Sequence, residues 1–234
     1  MGISINIALQ LAYLAPMVKD CRKGIMLGRQ KMHFNPPGWT DRLIKKLARL
    51  GITATPEDLF QEDGFCETYL NTIGWPKLES LDFSPIDGAE YVHDLSQPVG
   101  EDLTGRFDLI YDGGTTEHVF DIAQSFRNID AMLEDGGIFV SCVGTDGWFG
   151  HGFYQIGPDV PWRFWHHSLG YEVLGCWTMT RKGTERPRKI PDPTNMPRGA
   201  EHRYSAPQFL FYVVRKTPRD GAPKPVIQSH YVNY

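Results

Sequence analysis

The stretch FDLIYDGGTTEHVFDIAQSFRNIDAMLEDGGIFVSCV, residues 107–143, writes a strand, a helix and a second strand in succession. FDLIYD (107–112) is a short apolar run. Val119, Ile122, Phe126, Ile129 and Leu133 then recur at helical spacing, and EDGG (134–137) stops that helix before IFVSCV (138–143) resumes as a strand. Two strands joined through a helix lie parallel in one sheet, with a right-handed crossover. That single unit commits the chain to the α/β class.

Other segments supply the rest of such a sheet. KGIMLG (23–28) reads as a first strand closed by a glycine turn, LESLDFS (78–84) as a second and AEYVHDL (89–95) as a third, which makes FDLIYD the fourth. YEVLGCWTMT (171–180) and QFLFYVVRKT (208–217) are two long apolar strands near the end. Residues 39–71 read as mostly helical: Leu43, Ile44, Leu47 and Leu50 share a face, and TPEDLF (55–60) offers a capping Thr, a Pro at the first helical position and early acids. Pro161 opens a further helix, with Trp162 and Phe164 expected inward and His166 and His167 in solvent.

A chain of 234 residues that is 41% hydrophobic can bury one substantial core. We read residues 1–217 as a single domain, with a helical insertion or lid at 31–77, a substrate loop at 144–167, a basic loop at 181–206 and a Pro-rich extended tail at 218–234. The formal net charge of -4 provides no field to draw in a polyanion, so nucleic acid is not an expected partner. Cys21, Cys66, Cys142 and Cys176 form no CxxC pair and read as reduced, buried thiols. The apolar N-terminal segment lacks a basic n-region and falls short of a membrane span, so the expected location is the cytoplasm, with that segment packed on its own domain or on a partner.

In an open parallel sheet, ligands sit beyond the carboxyl ends of the strands. Gly28 closes the first strand, Asp82 the second, Asp94 the third and Asp112-Gly113 the fourth. An ionised carboxylate offers only acceptors and a ribose diol offers two donors, so Asp82 is a candidate nucleoside clamp. Asp also favours strand-to-loop junctions for purely local reasons, and only the series of three shifts the balance toward a site.

With those residues in view, the segment 107–143 resembles the fourth and fifth strand region of class I S-adenosylmethionine-dependent methyltransferases: an F-D-L strand, an E-H near the helix start and a G-G turn before the next strand. The resemblance implies a Rossmann-like α/β fold with a seven-stranded sheet, mostly parallel with an antiparallel last strand, and helices on both faces. It implies S-adenosylmethionine as cofactor, with Gly28 facing its methionine part, Asp82 holding the ribose, Asp94 and Leu95 near adenine, and Asp112 and Gly113 on the wall near the sulfonium. In MLGRQ, Met26 replaces the family's usual acid and Gln30 its second glycine, and a side chain at Gln30 would crowd the cofactor unless the turn has another shape.

Methyl transfer needs alignment, exclusion of water and, for some acceptors, removal of a proton. His118 and His151 are the candidate catalytic bases, since imidazole titrates near neutrality. Glu117, Tyr154 and Gln155 are candidate acceptor contacts, in or beside the glycine-rich, aromatic loop GTDGWFGHGFYQIGPDVPWRFWHH (144–167). The expected function is methyl transfer to an O or N atom of a sugar-like or natural-product small molecule. A domain that has lost catalysis and serves as a binding or assembly module is the alternative, carried by Met26 and Gln30. No ligand pair has a recognised metal spacing, so no metal is expected, and a metal-dependent reading through His118, His151 and neighbouring acids is left to metal analysis. The positive excess from Arg181 to Arg203 either receives an anionic group of the substrate or is a solvated loop. Whether the chain forms a homo-oligomer stays open.

Overall fold

The computed structural model describes residues 2–33, 38–181, 186–196 and 206–232. The chain opens with β1 (Gly2–Ile3), α1 (Ile5–Val18), β2 (Gly24–Leu27) and β3 (Lys31–Met32), followed by α2 (Trp39–Ala48) and α3 (Glu67–Thr72). It continues through β4 (Leu78–Asp82), β5 (Tyr91–Val92) and β6 (Phe107–Asp112), a 3₁₀ turn at Thr116–His118, α4 (Ile122–Met132) and β7 (Leu133–Gly144). A wide helix at Val160–Ser168 leads to β8 (Glu172–Thr180), β9 (Arg188–Lys189) and β10 (Gln208–Arg215).

Eight of these strands form one sheet in the order β5-β4-β2-β6-β7-β10-β8-β9. From β5 to β7 every pairing is parallel, while β10 runs antiparallel to both its neighbours. The expected class is therefore present, with eight strands where seven were expected; the extra one is the two-residue β9, antiparallel at the edge of β8. β1 and β3 pair separately as a small parallel ladder beside the end of β2.

The central strands are buried on both faces, and their side chains alternate between two cores as the period of two requires. Met26, Leu109, Tyr111, Val140, Cys142, Phe211 and Val213 point to one core, which α1, α2 and α3 cover with Ile7, Leu11, Leu43, Leu47 and Tyr69. Ile25, Leu27, Ile110, Phe139, Val143, Leu210 and Tyr212 point to the other, covered by Phe126, Ile129 and Met132 of α4 and by Trp165. The apolar N-terminal segment is thus α1, packed on its own domain. Among the described residues, no helix is long and apolar enough to cross a membrane.

Asp108 explains the polar residue inside the FDLIYD run. Its carboxylate accepts hydrogen bonds from the Arg22 and Lys23 amides at 2.6 and 2.8 Å, tying the chain that leads into β2 to the adjacent β6.

Several expected elements differ. TPEDLF forms a turn rather than a helix; Asp58 takes the Thr55 amide and hydroxyl at 2.8 and 2.9 Å, as at a helix start, but the segment ends after a single turn. The third strand is only Tyr91–Val92. EDGG does not separate α4 from the next strand but lies inside β7, where Gly136 donates to the Lys216 carbonyl and Lys216 to that of Gly137. In the helix at 160–168, bonds such as Leu169 N–H to Phe164 O span five residues, so one face carries Pro161 and Trp165. Trp165 and Arg163 are buried there; of the two side chains expected inward, Phe164 packs against the core beside Phe126, and Trp162 is not part of it. The tail is strapped to this helix: Ser168 exchanges bonds with Lys224, Arg163 Nε donates to the Ile227 carbonyl, and Ser229 bonds Asp159.

Candidate functional site

The carboxyl ends of β2, β4 and β6 meet at one rim. Gly28 ends β2 with a φ of +67°, donates to the Leu81 carbonyl at 2.7 Å, and faces Thr115, whose Oγ1 donates to the Leu27 carbonyl at 2.6 Å. A Cβ on Gly28 would lie 2.7 Å from that Oγ1, so both the backbone conformation and the close approach require glycine. Beyond the rim is a cavity of about 270 Å³, near the lower end of the size range of ligand pockets. Gly28, Arg29, Gln30, Asp82, Thr115 and His118 are among the residues that line it.

Asp82 stands in this cavity with most of its acceptor capacity unused: the Arg29 and Ser84 amides reach it only at 3.4 and 3.3 Å. Gln30 does not project across the rim. It is 2% exposed, its Nε2 donates to the Leu27 and Gly28 carbonyls at 3.1 and 3.0 Å, and its Oε1 is buried without a donor. The turn therefore has another shape from the one a glycine would make, with the side chain folded back into it.

Asp94 and Leu95 follow β5, which pairs with the end of β4 through Asp82 and Val92. Asp94 accepts the Ser96 amide at 2.9 Å, which holds its carboxyl below the usual range, and Leu95 is buried. This turn is pinned by Asn128 of α4. Its Nδ2 donates to the Leu95 and Gln97 carbonyls at 3.0 and 2.8 Å, while its Oδ1 accepts from the Val99 amide and from Gln124 at 3.2 and 2.8 Å.

Asp112 and Gly113 occupy other roles than the wall positions expected of them. Asp112 is fully buried, and its oxygens accept from the Gly114 and Thr115 amides at 3.1 and 2.7 Å and from Thr116 Oγ1 at 2.6 Å. It is a brace for the turn beneath the rim. Burial raises its carboxyl despite those bonds. Gly113 makes room for Gln30, since a Cβ there would lie 2.7 Å from Gln30 Cδ and Oε1.

His118 and His151 come together with ring centroids 4.9 Å apart, edge to face. Burial lowers the titration of both imidazoles, and for His118 the neighbouring His151 adds to the effect. Glu117 lies beneath them, fully buried, with neither carboxylate oxygen in a hydrogen bond. Burial, and then the Asp112 charge, push its carboxyl well above the usual range, with the amides of Glu117 and Gly144 acting the other way. The Phe153 and Tyr154 amides both donate to the Glu117 carbonyl, at 2.9 and 3.2 Å, which docks the 151–154 loop on this turn.

Tyr154 and Gln155 both make bonds that help hold this loop. Tyr154 Oη donates to the Phe120 carbonyl at 2.7 Å, and Gln155 Oε1 accepts the Trp148 amide at 3.2 Å. Beside them Phe120 and Phe153, 73% and 65% exposed, meet edge to face at 5.5 Å and form an apolar lip. Of the basic loop, Lys182, Arg198 and Arg203 lie outside the described residues; Arg181 stacks over the Trp148 ring at 5.2 Å.

Sequence reasoning missed Asn128, whose helical position three residues after Ser125 signals a buried polar stripe on α4, and it missed the anchoring of the rim by Arg29. Arg29 pairs with Glu67 at 2.7 Å and Asp63 at 2.9 Å, and its guanidinium lies 3.8 Å above the Phe65 ring. Through these contacts residues 63–67 are fastened beside the cavity.

No protein-family model matches this chain, and neither does any curated protein. Among solved structures it is similar to the N-methyltransferase NodS from Bradyrhizobium japonicum WM9 in complex with S-adenosyl-L-homocysteine, at 13% identity and a TM-score of 0.49 over 90% of this chain and 86% of that one. It is also similar to an S-adenosylmethionine-dependent methyltransferase from Mesorhizobium loti, at 17% identity and 0.46 over 91% and 100%. A third is the 1,6-didemethyltoxoflavin-N1-methyltransferase from Burkholderia thailandensis, at 12% identity and 0.45 over 90% and 79%. The fold assignment rests on the strand order and directions described above.

Proposed function

We propose that the protein is an S-adenosylmethionine-dependent methyltransferase that moves a methyl group to an oxygen or nitrogen of a small molecule, sugar-like or of natural-product type. The observation that carries the reading is the open Asp82 carboxylate at the end of β4, on a cavity closed from below by the Gly28 turn. One acceptor in that cavity fits the cofactor: Asp82 would take both ribose hydroxyls. Asp94 and the buried Leu95 would border adenine, one strand further out.

When bound, S-adenosylmethionine supplies an electrophilic methyl group on a sulfonium. The task left to the chain is to place the acceptor in line with it and keep water out. His118 lines the cavity, and His151 packs against it, so the imidazole pair marks the acceptor side. The Phe120–Phe153 lip suits an acceptor with an apolar ring or chain beside its reacting atom. An imidazole lone pair that takes the acceptor's proton is the same one that would bind a cation, so those two roles exclude each other.

Met26 and Gln30 are the support for a binding module without catalysis. Met26 is buried in the core and Gln30 folds back against the Leu27 and Gly28 carbonyls, so neither side chain blocks the rim. Calorimetric titration with S-adenosylmethionine and S-adenosylhomocysteine tests the reading. Binding of both, weakened at least tenfold in Asp82→Ala, is expected from the loss of charge-assisted bonds of about 1.5–3 kcal/mol each. Binding of neither would leave the module.

A further inference from the structure

We infer that Glu117, His118 and His151 form a binding site for a divalent transition-metal ion of the zinc type. One ligand atom from each residue lies within 4.8 Å of the other two. Ligands about 2.1 Å from a tetrahedral ion lie roughly 3.4 Å from one another, so closing on an ion asks the ligand atoms to approach by up to about 1.4 Å.

Proximity alone would not make a site; the orphaned acceptors do. Glu117 is fully buried and both its oxygens lack hydrogen bonds, and His151 Nε2 is likewise out of reach of water without a partner. Buried polar groups are otherwise satisfied in proteins, and a carboxylate without partners is among the costliest to bury. Asp112, the other buried carboxylate of this turn, has its donors in Gly114, Thr115 and Thr116. Glu117 has none. A single proton or water would satisfy one of these acceptors, whereas one dication satisfies the carboxylate and both imidazoles together.

The cluster is also held in advance. Glu117 and His118 sit on the 3₁₀ turn that Asp112 braces, and His151 comes from the separate loop after β7. The Phe153 and Tyr154 amides fasten that loop to the Glu117 carbonyl. Gly152 permits the approach, since a Cβ there would lie 2.8 Å from the Glu117 oxygen. Trp148 packs on the His151 ring at 4.9 Å. Arg181, above Trp148, and the N-terminal amine are positive groups that work against a cation, and the Asp112 charge works for it.

Two imidazoles and one carboxylate select zinc, cobalt, nickel or iron over magnesium and calcium, which take oxygen ligands. Three protein ligands leave a coordination position open. Since His118 also lines the rim cavity, an ion here borders the acceptor side, and a hydroxyl or carbonyl oxygen is the ligand its open position would take. That last step alone rests on the methyltransferase reading. Metal binding does not.

The test uses the full chain, stripped with a chelator and titrated with Zn²⁺ by calorimetry and with Co²⁺ by absorption. One ion per chain and visible Co²⁺ bands of a nitrogen-containing site are expected, with no saturable response to Mg²⁺. Loss of an outer-shell group already costs 10–100-fold in metal affinity, so Glu117→Gln and His151→Ala should each weaken binding by about 100-fold or more. His118→Ala, at an exposed position, gives the same test in a variant whose fold is not at stake. Absence of 1:1 binding, or binding that all three variants retain, overturns the site. Either result can be read whether or not S-adenosylhomocysteine binds.

Discussion

Replacing Asn128 with alanine probes how the rim is built, because one buried side chain there holds a whole turn. Its amide nitrogen serves the Leu95 and Gln97 carbonyls, and its oxygen serves the Val99 amide. After truncation the two carbonyls keep second contacts, Leu95 O with Ser125 Oγ at 3.4 Å and Gln97 O with the His93 ring at 3.0 Å. The Val99 amide keeps none among those described. One orphaned donor costs about 1–3 kcal/mol and two half-compensated carbonyls about 0.5 kcal/mol each, so Asn128→Ala should lose roughly 2–4 kcal/mol. Urea denaturation at pH 7 measures this from the shift in midpoint at unchanged slope. Because the freed turn carries Asp94 and Leu95, S-adenosylhomocysteine affinity should fall as well, with Asp82 untouched. A stability within about 0.5 kcal/mol of the wild type, the range of an ordinary surface change, would refute the claim that this side chain pins the turn.

Three more outcomes follow from the packing. Gly113→Ala puts a methyl group 2.7 Å from Gln30 and should cost about 1–3 kcal/mol by overpacking; if that contact is the cause, Gln30→Ala in the same chain restores most of the loss in thermal melts. Trp165→Ala removes the ring that meets Phe126, Phe139 and Tyr171 at 5.8, 5.1 and 5.1 Å, and should lose about 3–5 kcal/mol in the same urea assay. All four thiols are buried, and burial pushes Cys21 up to about 11 and Cys176 up to about 12. The thiolate is the reactive form, so Ellman's reagent at pH 8 should label essentially no native thiol and all four in denaturant, with native labelling rising only as pH climbs toward 11. Rapid native labelling at pH 8 would contradict the burial.

Much of the architecture was legible because apolar runs and their spacing record it. Phe107–Asp112, Glu172–Thr180 and Gln208–Arg215 begin and end within two residues of where the pattern puts them. What escaped was set by bonds that leave no periodic trace. The capped start at Thr55 is not continued beyond a single turn, and in the wide helix after Val160 it is Trp165, not Trp162, that is buried. At the rim, residue type picked out side chains that the fold brings close together, without assigning their roles. His118 and His151 do meet, yet Asp112 lies beneath the surface because the Gly113-Gly114 turn wraps its carboxylate, and Tyr154 and Gln155 hold the loop together. Gln30 looked like an obstruction in the sequence because nothing in a single chain shows that Gly113 vacates the space into which it folds.

The most direct measurement is a crystal structure of the protein with S-adenosylhomocysteine, reading the distances from Asp82 to the ribose. Both hydroxyls within about 2.6–3.2 Å of the carboxylate, with the sulfur on the His118 side of the cavity, are expected. The nucleoside bound elsewhere, or Asp82 turned away from a ribose that other groups hold, would contradict the account.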